Sequence, residues 1–390
     1  MILLQVIFWV SLFLIFYSYA LFPLLLQAMV RNRKPREDLF APEEYPRLSV
    51  LISAFNEEVV MEEKINSLLQ SDYPEERLEI LVGSDASTDR TNQILKNLAE
   101  LHPRLQIYLF EHRKGKPGVI NELVGHSSGE ILVITDANVM VDTQTLSQIA
   151  RHFKDEKTGL VDTRMINTRL KKDGISHQEK YYINREVKIK QHESRLWGSM
   201  MGPFGGCYAV RKSLYKPVPD NFLVDDFYIN MAVLKQGFFC ISNVEARVYE
   251  DVSNNLKEEF RRKKRISAGN FQNLVAYGSL LFSPMPGVGF CFFSHKVIRW
   301  MVPFLVLITL TTSVYLSAYH RVYLVLALLQ GAVIAIPLID HFLRKFKIHS
   351  IPLRFISHFV LMNLALLAGF IKYIGGIRNN VWQPTRRNQD

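Results

Sequence analysis

Three cysteines in 390 residues, Cys207, Cys240 and Cys291, lack metal-ligand spacing, and in a chain facing a reducing compartment they are not expected to form disulfides. Charge is missing from particular stretches. Residues 1–30 carry none, nor do the runs between Arg299 and His320 and between Arg321 and Asp340; the run between Arg354 and Lys372 holds only His358. Each approaches the ~20 residues that cross hydrocarbon. No basic region precedes the first run, and it is too long for the apolar part of a signal peptide, so it is expected to stay as a span. With almost no ionisable residue inside them, the spans argue against a transporter. No nucleic-acid recognition motif accompanies the pI of 9.3.

What is present divides by region. A 48% hydrophobic fraction and a mean hydropathy of +0.04 are high for a soluble chain and come largely from those four runs. The net charge of +10 concentrates beside them, in Arg31, Arg33, Lys34 and Arg36 after the first run and Arg261, Arg262, Lys263, Lys264 and Arg265 ahead of the second. Such clusters attract anionic lipid headgroups and mark the cytosolic side, which places 31–295 in the cytosol with the N-terminus outside.

Within 31–295, strands and helices alternate. LSVLISA (48–54) reads as a strand ending at Phe55-Asn56-Glu57-Glu58, with Asn56 as an N-cap, before a helix with Met61, Ile65, Leu68 and Leu69 on one face. LEILVGSD (78–85) runs into a helix opened by Asp89, and IYLF (107–110) into Arg113-Lys114-Gly115-Lys116 and a helix around 121–123. ILVITD (131–136) is a buried strand stopping on Asp136-Ala137-Asn138. This order predicts a mostly parallel α/β sheet whose ligand crevice lies beyond the carboxyl ends of the strands, where Glu57, Asp85, Lys116 and Asp136 all fall. Asp136 and Asn138 are oxygen ligands suited to a hard divalent ion holding a diphosphate, although both residue types also favour turns.

The ordered series SAFNEE, VGSDASTD, GKPGVIN, TDAN, GPFGGCYAVRK and VDDFYINMAVLKQGF, followed by a basic helix, resembles the membrane-embedded family-2 glycosyltransferases. That group includes hyaluronan, chitooligosaccharide, cellulose and poly-N-acetylglucosamine synthases, and the resemblance covers roughly residues 46–280. It implies a Rossmann-like GT-A domain on the cytosolic face of the inner (plasma) membrane, multi-pass, binding a UDP-sugar donor with Mg²⁺ or Mn²⁺. By the same resemblance Ala54, Glu57, Asp85, Lys116, Asp136 and Arg265 bind donor, Asp136 and Asn138 hold the metal, and Gly205 and Gly206 line the acceptor site. Asp226, paired with Asp225, is the base for inverting transfer to a lipid or saccharide acceptor. Adjacent carboxylates favour one raised pKa, which suits that work; capping a helix start is the alternative use of such a pair.

Two features depart from the pattern. Asn138 replaces an acidic metal ligand, which removes one negative charge. Where processive members carry Gln-x-x-Arg-Trp, this chain has Arg262 and Ile266 around Arg265, so the sugar-stacking Trp is absent and long-polymer threading is disfavoured. A processive exporting synthase and a catalytically silent sugar-nucleotide-binding scaffold remain rivals of single transfer. The helical stretch 181–197, with Tyr182, Glu186, Ile189 and Glu193, reads as packing and solvated face. The expected divisions are a span at 1–30, a catalytic domain at 31–270, and an amphipathic interface helix and linker at 271–295, with Leu274, Leu280 and Leu281 set for membrane insertion. Three apolar segments at 296–376 and a basic tail at 377–390 complete the chain. Four full spans would leave the tail outside, while its basic residues, in Trp382–Arg387, place it in the cytosol; a partly re-entrant fourth segment is one resolution.

Overall fold

A computed structural model describes residues 1–33, 39–168, 176–251, 256–346, 350–377 and 380. Lys34 and Arg36 of the first basic flank, and the closing Trp382–Arg387, lie outside the described residues.

Eight strands form one sheet: β1 Leu48–Ala54, β2 Leu78–Asp85, β3 Leu105–Phe110, β4 Ile131–Asp136, β5 Val139–Val141, β6 Thr158–Thr168, β7 Cys207–Arg211 and β8 Phe239–Asp251, in the order β3-β2-β1-β4-β7-β6-β8-β5. The first four are parallel, as the alternation predicts. Beyond them the sheet is mixed: β7 runs antiparallel between β4 and β6, and β5 antiparallel on β8. Register sets the level of the site. Ala54 pairs with Ser84 and Ser53 with Asp136, so β1, β2 and β4 end along one line and their following loops share one edge.

Strand residues alternate between two cores. Val50, Ile52, Ile80 and Val133 face α2 (Met61–Leu69), α3 (Thr91–Leu101) and α5 (Thr145–Ala150). Leu51, Leu81, Leu132 and Ile134 face α4 (Gly115–His126) and α7 (Asp225–Lys235), and this second core continues through Phe271 and Trp300 into the membrane helices. Each such aliphatic side chain stabilises by about 1.5–3 kcal/mol on burial, so the second core ties the domain to the spans.

Local differences from the sequence reading have physical causes. Asn56 is not an N-cap: α2 begins at Met61, and Asn56 adopts φ +54 while its side chain bonds across to Thr88, Oδ1 accepting from the backbone N–H at 2.8 Å. Asp89 does open α3, its Oδ1 accepting from Thr91 N. Phe271–Phe282 is not a separate interface helix. It begins inside α8 (Leu256–Tyr277), whose residues 267–273 are all buried; Leu280 sits in the second core and Leu274 and Leu281 pack against it. The lipid-side candidates there are instead the exposed Val275 and Phe282.

Among the described residues four helices are long and apolar enough to span: α1 Ile2–Val30, α9 Val288–Leu316, α10 Arg321–Leu343 and α11 Ile351–Ile374. The second begins at Val288, so Arg299 lies inside it and not at its edge. α1 and α9 each contain a π-helical turn, Tyr17–Leu21 and Phe292–Val297, and the turns meet where Tyr17 and Ser294 share a 2.8 Å hydrogen bond. α11 has both ends against the catalytic unit. Phe355 packs edge-on to Tyr181 of α6 (Ser176–Trp197), while Phe370 and Tyr373 pack on Phe271 of α8. Between them Gly369 lies so close to α8 that a Cβ would fall 2.6 Å from the Lys264 carbonyl. The chain then returns to bury Asn380 beside Gly115.

On the helix face of Met61, Ile65 and Leu68 also lies Lys64, fully buried, its ammonium donating to Thr135 Oγ1 at 2.9 Å and to the Val139 carbonyl. Burial pushes its pKa down from 10.5 to about 8, against the pull of Cys207 and Asp136. Between pH 8 and 10.5 the unfolded chain therefore binds the proton that the folded chain has released, and stability rises with pH across that window. Relative to Lys64→Met, the wild type should gain about 3 kcal/mol through it; parallel slopes in thermal unfolding of the two proteins would contradict this.

Candidate functional site

The edge where β1, β2 and β4 end opens into a cavity of about 520 Å³ reaching from Asp136 to the membrane helices. Asp136 closes β4, and its backbone N–H donates to the Gly206 carbonyl at 2.9 Å. This bond follows from the antiparallel β4–β7 register, Thr135 opposite Cys207, and it brings the loop 202–206 against the end of β4. Lys116, in the first turn of α4, reaches across from the third loop. Its ammonium lies 2.6 Å from Asp136 Oδ1 and 3.7 Å from Asp225 Oδ2, and donates to the Gly205 carbonyl at 3.2 Å. Burial works to lower the Lys116 pKa, but Asp136 and Asp225 outweigh it and raise the value, so the side chain stays charged.

Asp225 and Asp226 begin α7, where carboxylates complement the helix dipole. Asp226 Oδ1 accepts from the Phe227 N–H at 2.7 Å. Burial first, then repulsion from Asp225, pushes the Asp226 pKa from 3.8 to about 7, with Lys116 opposing. Gly205 makes the arrangement possible: at φ +80 a side chain is strained, and a Cβ there would stand 2.5 Å from Asp226 Oδ2. Arg265 of α8 lines the same cavity and donates from Nη1 to the Leu223 carbonyl at 2.9 Å. Burial lowers its pKa, and Asp225, Asp226 and Asp136 act to raise it.

The structure thus brings Lys116, Asp136, Gly205, Gly206, Asp225, Asp226 and Arg265 together around one cavity. Asp85 and Glu57 stand outside its wall. Asp85 is buried at the end of β2, with Oδ2 accepting from Arg113 Nε and Gly115 N, both at 3.0 Å, and Oδ1 from Lys114 N at 2.6 Å. It therefore anchors the loop that delivers Lys116. Arg113 also lies 3.3 Å over the Phe55 ring centroid. Ala54 is buried as the last residue of β1. The Glu57 N–H donates to Thr91 Oγ1 at 2.9 Å.

The expected metal pair fits in part. Asp136 presents a carboxylate to the cavity, a donor suited to a hard cation. Asn138 is buried with its amide donating to Glu250 Oε1 at 3.3 Å and does not line the cavity. Among the described residues no group of three His, Cys, Asp or Glu could hold a metal ion. The position between Asp136 and Asp225 is filled by the Lys116 ammonium.

Sequence reasoning assigned Glu186 and Glu193 to packing and solvated face, whereas both are buried hubs. Glu186 meets His295 Nε2 at 2.9 Å, Lys296 and Arg299, all from α9; Glu193 meets His295 Nδ1 at 2.7 Å and accepts from the Met201 N–H at 3.0 Å. Lys190 pairs with buried Asp162 at 2.7 Å, and Asp162 in turn accepts from the Phe204 N–H. Ion pairs of α9 therefore reach the start of the 201–206 loop through Glu193, and the separate Lys190–Asp162 pair holds its middle at Phe204. The available signal was periodicity: Glu186, Lys190 and Glu193 recur at helical spacing with the apolar Ile189 and face His295 and Arg299, which sit beside a long apolar run.

Residues 49–218 match the family described as Glycosyl transferase family 2. The chain is 26% identical over 238 residues to the probable glycosyltransferase YdaM of Bacillus subtilis, covering 58% of this chain and 56% of that protein. It is 28% identical over 155 residues to the beta-monoglucosyldiacylglycerol synthase of a Nostoc species, covering 39% of this chain and 33% of that one. The chain therefore spans about half or less of the length of these curated relatives. Among solved structures it is similar to the mannosyltransferase PcManGT from Pyrobaculum calidifontis in complex with GDP-Man and Mn²⁺. The TM-score is 0.71 at 21% identity, covering 94% of this chain and 99% of that one, a likeness of fold. The chain carries a glycosyl transferase family 2 domain, built on a GT-A fold.

Proposed function

We propose that the protein transfers a single sugar from a nucleoside-diphosphate sugar to a lipid or saccharide acceptor at the membrane surface, with inversion. The observation that carries this reading is the facing of Asp225-Asp226 and Lys116-Asp136 across one cavity of a family 2 domain. Asp226, held near neutrality by burial and Asp225, takes the proton from an acceptor hydroxyl as its oxygen attacks the anomeric carbon. Lys116 and Arg265 offset the charge on the leaving diphosphate. A divalent ion held by Asp136 and the donor's own phosphates would add Lewis-acid stabilisation of that leaving group. Asn138, tied to Glu250, contributes to the level of this site and not to its charge.

Uridine as the base rests on Asp85. All three donors now on that carboxylate belong to residues 113–115, two on Oδ2 and one on Oδ1, which leaves one acceptor site on Oδ1 for a uracil N–H. Comparing release of UDP and GDP from a panel of nucleotide sugars decides the base. Single transfer is favoured over a processive mode because Ile266 lines the cavity at the position where the processive pattern carries Trp, the aromatic lining coming instead from positions such as Phe204, Phe222 and Trp300. The poorly buried α10 also gives little support for an enclosed pore. For the membrane arrangement we infer that α1, α9 and α10 cross the bilayer while α11 lies in its cytosolic interface. A spanning helix cannot set both ends on one cytosolic unit, and the return of Asn380 to the cavity agrees with the basic charge of the tail. The plasma membrane, with a cytosolic domain over about 31–287, is the corresponding placement.

Two outcomes test the chemistry. Asp226→Asn should lower turnover by about 10²–10⁴-fold while nucleotide binding persists; undiminished turnover refutes the base assignment. In the wild type the rate should climb with pH and level off above about 7, because Asp226 must release its proton to act, and a flat profile between pH 5 and 8 would count equally against it. Separately, Gly205→Ala should abolish transfer without loss of the folded state by circular dichroism, since its Cβ competes for the space of Asp226 Oδ2. Full activity in that variant would show that the loop does not hold the acceptor against the base.

A further inference from the structure

The cavity has a second polar end. Away from Asp226 its wall is made by α6, α9, α11 and the π-helical turn of α1, and there Arg299 is over nine-tenths buried. Its Nη1 donates to Glu186, but its Nε and Nη2 have no hydrogen-bond partner. A buried guanidinium edge left unmade costs on the order of 1–3 kcal/mol or more, and structures keep such groups where something completes them. Nε with Nη2 forms the parallel pair of donors that matches two oxygens of a phosphate.

The surroundings point to an anion. Arg185 and Arg299 lie within 5.9 and 5.6 Å of the same Tyr19 ring, and Lys296 shares Glu186 with Arg299 at 3.4 Å. Three cations thus gather about one carboxylate, since Glu193 takes the other side of His295. Burial and the neighbouring Arg299 also hold the Arg185 guanidinium below its ordinary pKa. One wall beside them is apolar: Phe359, Met362 and Leu366 of α11 line the cavity, and Phe359 packs edge-on to Tyr19. An anionic group held here would have hydrocarbon on one side and the Asp225-Asp226 end of the cavity on the other.

We propose that Arg299 and Arg185 bind the phosphate of the acceptor lipid, so that the acceptor carries a phosphate between its apolar chain and the hydroxyl-bearing head that reaches Asp226. This deepens the reading of the cavity as a glycosyl transfer site and rests on it for the role of the head. A neutral glycolipid offers only uncharged hydroxyl and ester oxygens to the Arg299 edge and forgoes the charge-assisted pair of bonds. The same donors would accept a free phosphate, and the experiment separates the two sources.

The test is native mass spectrometry of the full chain in a nonionic detergent, without donor, given equal amounts of phosphatidylinositol (phosphate and hydroxyls) and a glucosyl diacylglycerol (hydroxyls alone). The wild type should retain phosphatidylinositol at least about tenfold over the neutral lipid, the ratio expected from one charge-assisted pair of bonds. Arg299→Gln and Arg185→Gln should each bring the ratio towards one. Arg185 is only half-buried, so its variant decides the matter if Arg299→Gln fails to fold. Equal retention of both lipids by the wild type overturns the proposal. So does a preference unchanged in Arg185→Gln, which would trace it to cations other than this pair, such as those of the 261–265 run. Inorganic phosphate retained without any lipid preference would make this a free-anion site and overturn the lipid assignment. Lipid retention is read without turnover, so a failure here leaves glycosyl transfer standing, and a failure of transfer leaves this site standing.

Discussion

The Lys116 ammonium held between Asp136 and Asp225 is the interaction on which the rest of the site depends. At one end of the cavity three carboxylates, those of Asp136, Asp225 and Asp226, gather beside Lys116 and Arg265, with Lys190 also acting on Asp226. A buried charge without a close partner is costly, and such a group gives way by taking up a proton. Lys116 contacts Asp136 and Asp225, so the burden falls on Asp226, whose pKa stands near 7. The carboxylate proposed as the base is thus brought near neutral pH by burial first and by the Asp225 charge second. Moving Lys116 towards Asp226 would strengthen that carboxylate's ionised form and weaken it as a base.

This arrangement of charges holds only if distances hold, and the fold fixes them from two sides. From the sheet, the register of β1, β2 and β4 aligns three loop starts, and Asp85 clamps the loop that carries Lys116 through three hydrogen bonds to residues 113–115. From the membrane, His295 and Arg299 grip Glu186 while His295 also holds Glu193, whose other oxygen takes the Met201 N–H. Asp162 and Lys190 fix Phe204 in the same loop. Removing one member of such a buried pair costs about 3–5 kcal/mol, because the survivor is left charged and dry. α9, a helix long and apolar enough to cross a membrane, is therefore also a structural wall of the cavity.

The sequence disclosed the parallel half of the sheet, because VLIS, ILVG and ILVI are buried runs closed by polar residues, and the strand-end rule then picked out Lys116 and Asp136. The motif series added the Asp225-Asp226 pair and the glycine loop. What it concealed came from contacts that ignore chain order. Lys64 shares a helix face with Met61 and Ile65, and only Thr135 and Val139, more than 70 residues on, make a buried lysine tolerable there. Glu186 and Glu193 look solvated until α9 supplies His295 and Arg299, over 100 residues away. Asn138 reads as a metal ligand by its spacing from Asp136, yet a buried amide takes the partner that packing offers, here Glu250. α11 has the length and apolarity of a span, and its aromatic contacts with α6 and α8, together with the close approach of Gly369 to α8, show it lying against those helices at both ends.

Under the single transfer proposed above, the basic helix α8 is where the scaffold departs from the polymer-making pattern. Its Arg265 keeps a place beside the carboxylates, held by the Leu223 carbonyl. The next position, Ile266, presents an aliphatic group to the cavity where a flat aromatic would have to lie for a sugar ring to stack. Aromatic stacking is what lets a site hold a sugar while the next one arrives, since a ring face is indifferent to hydroxyl configuration and tolerates sliding. An isoleucine gives dispersion but no such plane at this position, and the aromatic rings of the cavity, Phe204, Phe222 and Trp300 among them, come from other elements. The cations at the far end of the cavity and the apolar wall of α11 supply another means of placing the acceptor: they hold it by its membrane end, at a fixed distance from Asp226. A grip of that kind places one hydroxyl well and does not advance, which is the physical difference between adding one sugar and threading many.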